Sequence, residues 1–89
     1  MASAFIQRQI ERLMNEAEAA LGRREWSRVH DLSQDMLALD PENAKYHYLL
    51  GLSHLKLGRY EASIAPLRKA SALNSALSET QTISKLTLK

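Results

Sequence analysis

Cysteine is absent from this sequence, and glycine and proline are scarce, at three and two residues in 89. Without cysteine there are no disulfides, no thiolate metal ligands and no cysteine nucleophiles. The scarcity of glycine and proline leaves no low-complexity linker. No apolar run is long enough for a signal-peptide core or for the roughly 20 residues of a membrane span. We therefore expect a cytoplasmic protein that does not bind a membrane.

The familiar motifs of catalysis are missing as well. The sequence contains no glycine-rich phosphate loop, no His-Glu-x-x-His pair and no nucleophile elbow. Of the three histidines, His47 and His54 lie two helical turns apart, or about 10.5 Å, and a metal site needs three or four converging ligands. We expect the histidines to pack between helices. The sequence therefore predicts no catalytic, cofactor-binding or metal-binding residues and a protein that is not an enzyme.

Net charge is small, at +2, which does not favour nucleic acid as a partner. Residues 1–43 contain five Arg and eight Asp or Glu, a net −3, whereas residues 44–89 contain seven Lys or Arg and two Glu, a net +5. Such a split favours head-to-tail association or an acidic partner; the alternative is a solvated surface of mixed sign. The cations of the second half lack interleaved aromatic residues, so we expect no nucleic-acid binding.

Apolar residues recur every three to four positions along the chain, which is the spacing of amphipathic helices. Gly22 is expected to end the first helix in a left-handed conformation, and Asp40 and Pro41 to cap and start the third. Ser78 and Gln81 form a capping box before a short terminal helix. The predicted helices cover residues 3–21, 26–39, 42–57, 59–73 and 78–89. The sequence thus predicts an all-α fold.

The fourth helix contains a proline. Pro66 removes one backbone donor and crowds the carbonyl of Ala62, at a typical cost of about 3 kcal/mol. The apolar spacing continues through Leu67 and Ala70, so we expect a kink or bulge at the proline. The helix itself is expected to end at Asn74-Ser75.

The two halves of the sequence align when the chain is shifted against itself so that Trp26 falls on Tyr60. We call this shift the repeat offset. Only three pairs are identical between residues 10–41 and 44–75, so the likeness is one of residue class at special positions. The repeat offset equals the period of tetratricopeptide repeats, which are helix–turn–helix units of about 34 residues.

Residues 44–75 resemble a tetratricopeptide repeat along their whole length. The family's Trp-x-x-Leu-Gly-x-x-Tyr pattern is matched by His47-x-x-Leu50-Gly51-x-x-His54, with histidine at both aromatic positions. Further matches are Gly58, Tyr60, Leu67 and Ala70, and the departures are Ser63 for Ala and Ser75 for Pro. Residues 10–41 resemble a more degenerate copy, with Glu16 where leucine is expected; its matching residues are Leu13, Ala17, Ala20, Trp26, Val29, Met36 and Pro41.

This resemblance implies a right-handed stack of two antiparallel helix hairpins with a short C-terminal capping helix. The single domain, 1–89, would consist of an N-terminal extension (1–9), a degenerate repeat (10–43), a second repeat (44–77) and the cap (78–89). Ala17, Gly51 and Ala70 are expected where helices approach most closely, and Trp26 and Tyr60 are expected to fill the space between hairpins. Such stacks need about three repeats, so the cap, a second copy or the rest of a longer protein would complete the core.

In this family the first helix of each repeat lines a concave groove in which partners dock. The groove residues that the resemblance implies are Glu11, Met14, Asn15 and Glu18 in the first repeat, and Lys45, Tyr48, Leu49, Leu52 and Lys56 in the second. Tyr48 and Leu52, one turn apart, are the expected anchors; the alternative is that they pack against a neighbouring helix. Met14 and Glu18 stand where chaperone-binding members place a carboxylate clamp, so we do not expect binding of chaperone tails.

The resemblance therefore predicts a protein–protein interaction module, an adaptor or scaffold, that binds a partner protein or peptide in its groove. The alternative is a self-assembly element that stacks or swaps helices with its own copies.

Overall fold

The computed structural model describes residues 4–88, and the side chains of residues 4–74. Its helices are α1 (Ala4–Gly22), α2 (Trp26–Leu39), α3 (Ala44–Lys56) and α4 (Tyr60–Leu88). Residues 4–88 contain no strand, which confirms the all-α prediction. α1 packs on α2, α2 on α3 and α3 on α4, through connections of three or four residues. We call α1 and α2 the first helix pair, and α3 and α4 the second.

α4 is one helix of 29 residues, so the predicted break at Asn74-Ser75 and the separate helix over 78–89 are wrong. Asn and Ser each cost a helix interior at most about 0.7 kcal/mol relative to alanine, and no Gly or Pro stands beside them to end the helix. The helix also continues through Pro66, as the apolar spacing predicts. The side chains of the predicted capping box, Ser78 and Gln81, lie outside the described residues.

The connection between α2 and α3 differs in detail from the prediction. Asn43, rather than Asp40, is the N-cap of α3: its Oδ1 accepts a hydrogen bond of 2.9 Å from the backbone amide of Lys45. Asp40 instead ends α2, where its amide donates to the carbonyl of Met36. Its carboxylate accepts from the Asn43 side chain at 3.2 Å. Asp40 therefore supports the cap without being the cap.

The turn within each helix pair carries the same backbone hydrogen bonds. In the first turn the amides of Arg23, Arg24, Glu25 and Val29 donate to the carbonyls of Ala19, Leu21, Ala20 and Glu25. In the second turn the amides of Leu57, Gly58, Arg59 and Ser63 donate to those of Ser53, Leu55, His54 and Arg59. Every donor and acceptor of the second set stands one repeat offset after its counterpart in the first.

The left-handed residue of each turn follows the same offset. Gly58 has φ +81°, and Arg24, its counterpart in the first turn, has φ +58°. The prediction that Gly22 is the left-handed residue is therefore wrong, although α1 does end there. A side chain at positive φ is unfavourable for residues other than glycine, so the first turn keeps this conformation despite its sequence.

The hydrophobic core lies where the first helix pair meets α3. Its buried members are Leu13, Ala17, Ala20, Val29, Leu32, Met36, Tyr46 and Leu49. Trp26 is partly buried and packs against this cluster, and the Lys56 ammonium lies 5.8 Å from the centre of its ring. Trp26 therefore lies beside α3, the helix that follows its own pair.

Tyr60, the counterpart of Trp26, does not fill a comparable space. Its side chain is 66% exposed, so the prediction that it packs between hairpins is wrong. Trp26 is covered by the helix that comes next in the chain. α4 is the last helix among the described residues, so no following helix covers Tyr60.

Gly51 marks the closest approach of α3 to α4, as predicted. A β-carbon built on Gly51 would stand 2.6 Å from both Cγ and Cδ2 of Leu67 and 3.2 Å from the Leu67 backbone nitrogen. Real β-carbons do not approach other atoms to 2.6 Å. A larger residue at this position would therefore require Leu67 to shift.

We predict that Gly51→Ala destabilises the fold by up to about 2 kcal/mol. Overpacking typically costs about 1–3 kcal/mol, and replacing glycine in a helix offsets about 1 kcal/mol of that cost. Urea unfolding followed by circular dichroism measures the difference. Gly22→Ala is the matched control, because nothing lies within 4 Å of its added carbon, and it should be neutral or stabilising. Equal stabilisation by both substitutions would contradict the close approach.

Candidate functional site

The nine residues predicted to line a groove differ in how far they are exposed to solvent. Six are exposed and available to a partner: Glu11, Asn15, Glu18, Lys45, Tyr48 and Lys56. Met14 and Leu52 are partly buried, and Met14 packs against the core cluster. Leu49 is only 3% exposed. Most of the predicted surface is therefore accessible, but Leu49 is not part of it.

Leu49 was assigned to the wrong face of α3. It is a member of the core cluster, together with Tyr46, which lies one turn earlier on the same side of the helix. Burial and, secondarily, the charge of Asp40 raise the pKa of Tyr46, as expected for a phenol inside the fold. α3 places this pair against the first helix pair, so a ligand cannot reach Leu49.

Two of the predicted residues, Lys45 and Tyr48, lie together at a crevice between α3 and α4. Its lining also includes Leu67, Ala70, Ser71 and Asn74 of α4, and its volume is about 560 Å³. Tyr48 is 51% exposed at this crevice. We refer to Lys45 and Tyr48, together with these four residues of α4, as the crevice. Sequence reasoning placed Tyr48 on a binding surface but missed that α4 forms its other wall.

The remaining predicted residues do not line the crevice. On α1, Glu11, Asn15 and Glu18 are exposed, and the neighbouring Glu16 pairs with Arg28 of α2 at 2.8 Å. On α3, Leu52 is outside the crevice and Lys56 lies over Trp26. The structure therefore brings Lys45 and Tyr48 together at the crevice, whereas the predicted residues of α1 are exposed on a separate helix.

A pair of histidines that the sequence analysis did not bring together connects α2 and α3. The rings of His30 and His54 meet edge to face with 4.7 Å between their centres. His54 Nδ1 is buried and has no hydrogen-bond partner among the side chains and backbone that the structure describes. His47, by contrast, bonds the carbonyl of Pro41 through Nε2 at 2.8 Å. The sequence pattern does not show which side of α2 faces α3, so it could not predict that His30 and His54 meet.

The environment of His54 favours its neutral form. Burial, followed by the charges of His30 and Arg59, lowers the pKa of His54 below its ordinary value. Asp31 is hydrogen-bonded to the other ring, at 3.0 Å from His30 Nδ1. Among the residues with described side chains, no three His, Asp or Glu gather as metal ligands would.

Within the described residues no helix has the length and apolar character needed to cross a membrane. Comparison of the chain with protein-family models, with curated proteins and with solved structures found no match.

We predict that Leu49→Ala and Tyr48→Ala, at adjacent positions, have very different effects on stability. Truncation of a buried leucine typically costs about 2–5 kcal/mol, whereas surface substitutions usually change stability by about 0.5 kcal/mol. Chemical unfolding of both variants measures this contrast. A larger loss for Tyr48→Ala than for Leu49→Ala would reverse the assignment of faces on α3.

We also predict that His54→Phe weakens the loss of stability at mildly acidic pH. Because folding lowers the pKa of His54, the unfolded chain takes up its proton first as the pH falls below about 6.5. Above that pH the neutral His54 ring makes its full contribution to the free energy of unfolding. This contribution decreases as the pH falls from the unfolded-state pKa toward the lower pKa of the folded state. Phenylalanine keeps a ring against His30 and does not titrate.

The measurement for this prediction is the free energy of unfolding between pH 7 and pH 5. The wild-type protein should lose more stability over this range than the His54→Phe variant. Carboxylates titrate in both proteins, so their contribution cancels in the comparison. Parallel pH profiles would show that the burial of His54 has no energetic consequence.

Proposed function

We propose that this protein is a tetratricopeptide-repeat-like interaction module that binds a partner protein or peptide on the exposed side of α1 and α3. In this proposal it acts by binding and not by catalysis. The recurrence of the turn hydrogen bonds at the repeat offset supports the repeat interpretation. The close approach of α3 and α4 at Gly51 supports it too, because the family pattern has glycine there.

The observation that carries the proposal is the position of Tyr48. A large aromatic side chain that folding leaves half exposed, beside an unfilled crevice, is typical of an interface anchor. Tyrosine offers apolar area and a hydroxyl at a low cost in conformational entropy. Leu52 follows one turn later and is partly exposed, which would extend the anchor along the helix.

The charges around the anchor define the polarity of the surface. Glu11 and Glu18 are exposed on α1, whereas Lys45 and Lys56 are exposed on α3. A ligand that lies across both helices would meet acidic groups on one side and basic groups on the other. Such an arrangement fixes the orientation of a bound peptide more than it adds to affinity.

A random peptide library displayed on phage tests this function directly. We expect selection on the wild-type domain to yield ligands whose affinity falls at least about tenfold when Tyr48 and Leu52 are both replaced by alanine. The double variant should remain folded by circular dichroism. Gln34→Ala, an exposed change on α2, is the control and should leave affinity unchanged. Selection that yields no ligand, or ligands indifferent to Tyr48 and Leu52, would contradict the proposed function.

A further inference from the structure

The second helix pair leaves partly uncovered the surface whose counterpart in the first pair is covered: Ala70 is buried and Leu67 partly buried, but Ser71 is exposed. At the repeat offset, Leu67, Ala70 and Ser71 of the crevice correspond to Ser33, Met36 and Leu37 of α2. Ser33 and Met36 are fully buried, and Leu37 packs against the core cluster. Met36 and Leu37 share this cluster with Tyr46 and Leu49 of α3. On the second pair the equivalent position is the open crevice.

The same difference extends to the beginning of α4. Trp26 and His30 of α2 are covered by Lys56 and His54 of α3. Their counterparts on α4 are Tyr60 and Ile64, which are 66% and 49% exposed. Together with Leu67, Ala70 and Ser71 of the crevice, these two residues form a strip along α4, which we call the open strip. Each of its residues stands one repeat offset after a residue of α2.

The charges beside the two equivalent surfaces have opposite character. On the first pair, the residues one repeat offset before Lys45, Arg68 and Lys69 are Glu11, Gln34 and Asp35, and α3, which packs on that pair, contains two lysines and no acidic residue. The corresponding residues beside the open strip are Lys45, Arg68 and Lys69. On the first pair, a basic helix therefore packs beside acidic residues. By the same complementarity of charge, the basic residues of the second pair favour an acidic helix.

Contacts within the described residues leave much of this positive charge available. Lys69 pairs with Glu42 at 3.3 Å, whereas Lys45 and Arg68 make no ion pair among the described side chains. Glu61 also lies with Ile64, Arg68 and Lys69, so among the described residues two carboxylates stand against three cations. The border of the open strip is therefore net basic.

A second copy of this chain fits the open strip poorly. In a head-to-tail stack α1 of the next copy would take the position of α3. Its residues equivalent to Tyr46 and Leu49 are Arg12 and Asn15, both exposed and polar. Burying Arg12 against a basic border is unfavourable. In a face-to-face dimer Lys45 and Arg68 would approach their own copies, which is also repulsive.

We propose that the open strip seats an acidic amphipathic helix of another protein in the position that α3 takes on the first helix pair. The helix would present an aromatic and an aliphatic anchor at the spacing of Tyr46 and Leu49 on α3, and carboxylates toward Lys45 and Arg68. This inference rests on the proposed binding function. It specifies the chemistry of the partner and the surface on which the partner binds.

Two synthetic helical peptides test the proposal. Both carry tyrosine, leucine and serine at the spacing of Tyr46, Leu49 and Ser53; one has glutamate at its outward positions and the other has lysine. Fluorescence anisotropy with the full chain should show the acidic peptide binding at least about tenfold more tightly. The preference should shrink as salt screens the charges. Replacing the tyrosine and leucine of the acidic peptide by alanine should abolish its binding.

Protein variants locate the peptide. Ser71 is exposed in the crevice, so Ser71→Trp should block the seat without disturbing the fold, and binding should be lost. Lys45→Glu combined with Arg68→Glu should reverse the peptide preference. Gln34→Ala, an exposed change on α2 outside the crevice, is the control and should retain binding. Equal affinity for both peptides, no binding of either, or binding that survives Ser71→Trp would overturn the proposal.

Two further outcomes separate this inference from its alternatives. If light scattering shows that the chain alone forms a dimer that Ser71→Trp disrupts, the occupant is a second copy and the proposal is wrong. If phage-selected ligands depend on Leu52 but not on Ser71, the proposed function stands and the acidic-helix seat fails. Failure of both assays would remove the interaction proposal altogether.

Discussion

The packing of α3 on two sides at once is the constraint on which the rest of this structure depends. One side presents Tyr46 and Leu49 to the core between α1 and α2. Another side presents Gly51 to Leu67 of α4 at a distance that admits no β-carbon. A helix held in this way has little apolar surface to spare. What it does leave exposed is what a partner can reach: Lys45, Tyr48, Leu55 and Lys56.

This double burial also explains which predictions failed. Helix existence followed from apolar spacing, because periodicity reports on local geometry. The buried face of α3 could not be predicted in the same way, because this helix has apolar residues on all sides. Spacing alone does not show which of those sides is buried. Leu49 was therefore placed in the groove although it is buried. The exposure of Tyr60 was missed for a related reason: a repeat position is filled only when another helix follows.

The turns show a different limit of sequence reasoning. We predicted Gly22 as the left-handed residue of the first turn because it is a glycine. The left-handed residue is instead Arg24, one repeat offset before Gly58. Global packing thus outweighs a local preference of about 1–2 kcal/mol. The continuity of α4 through Asn74-Ser75 is the converse case, because weak helix formers do not end a helix without a competing structure. The site was predictable in part: Tyr48 and Lys45 from the resemblance, but not the wall that α4 adds.

Nuclear magnetic resonance in solution tests the position of α3 most directly. The account predicts nuclear Overhauser effects between the Gly51 α-protons and the Leu67 methyl groups, and between the Tyr46 ring and methyl groups of the core cluster on α1 and α2. Both sets must be present in one species, since they report opposite sides of the same helix. Contacts of the Tyr46 ring with α4, or no contact between Gly51 and Leu67, would contradict the account.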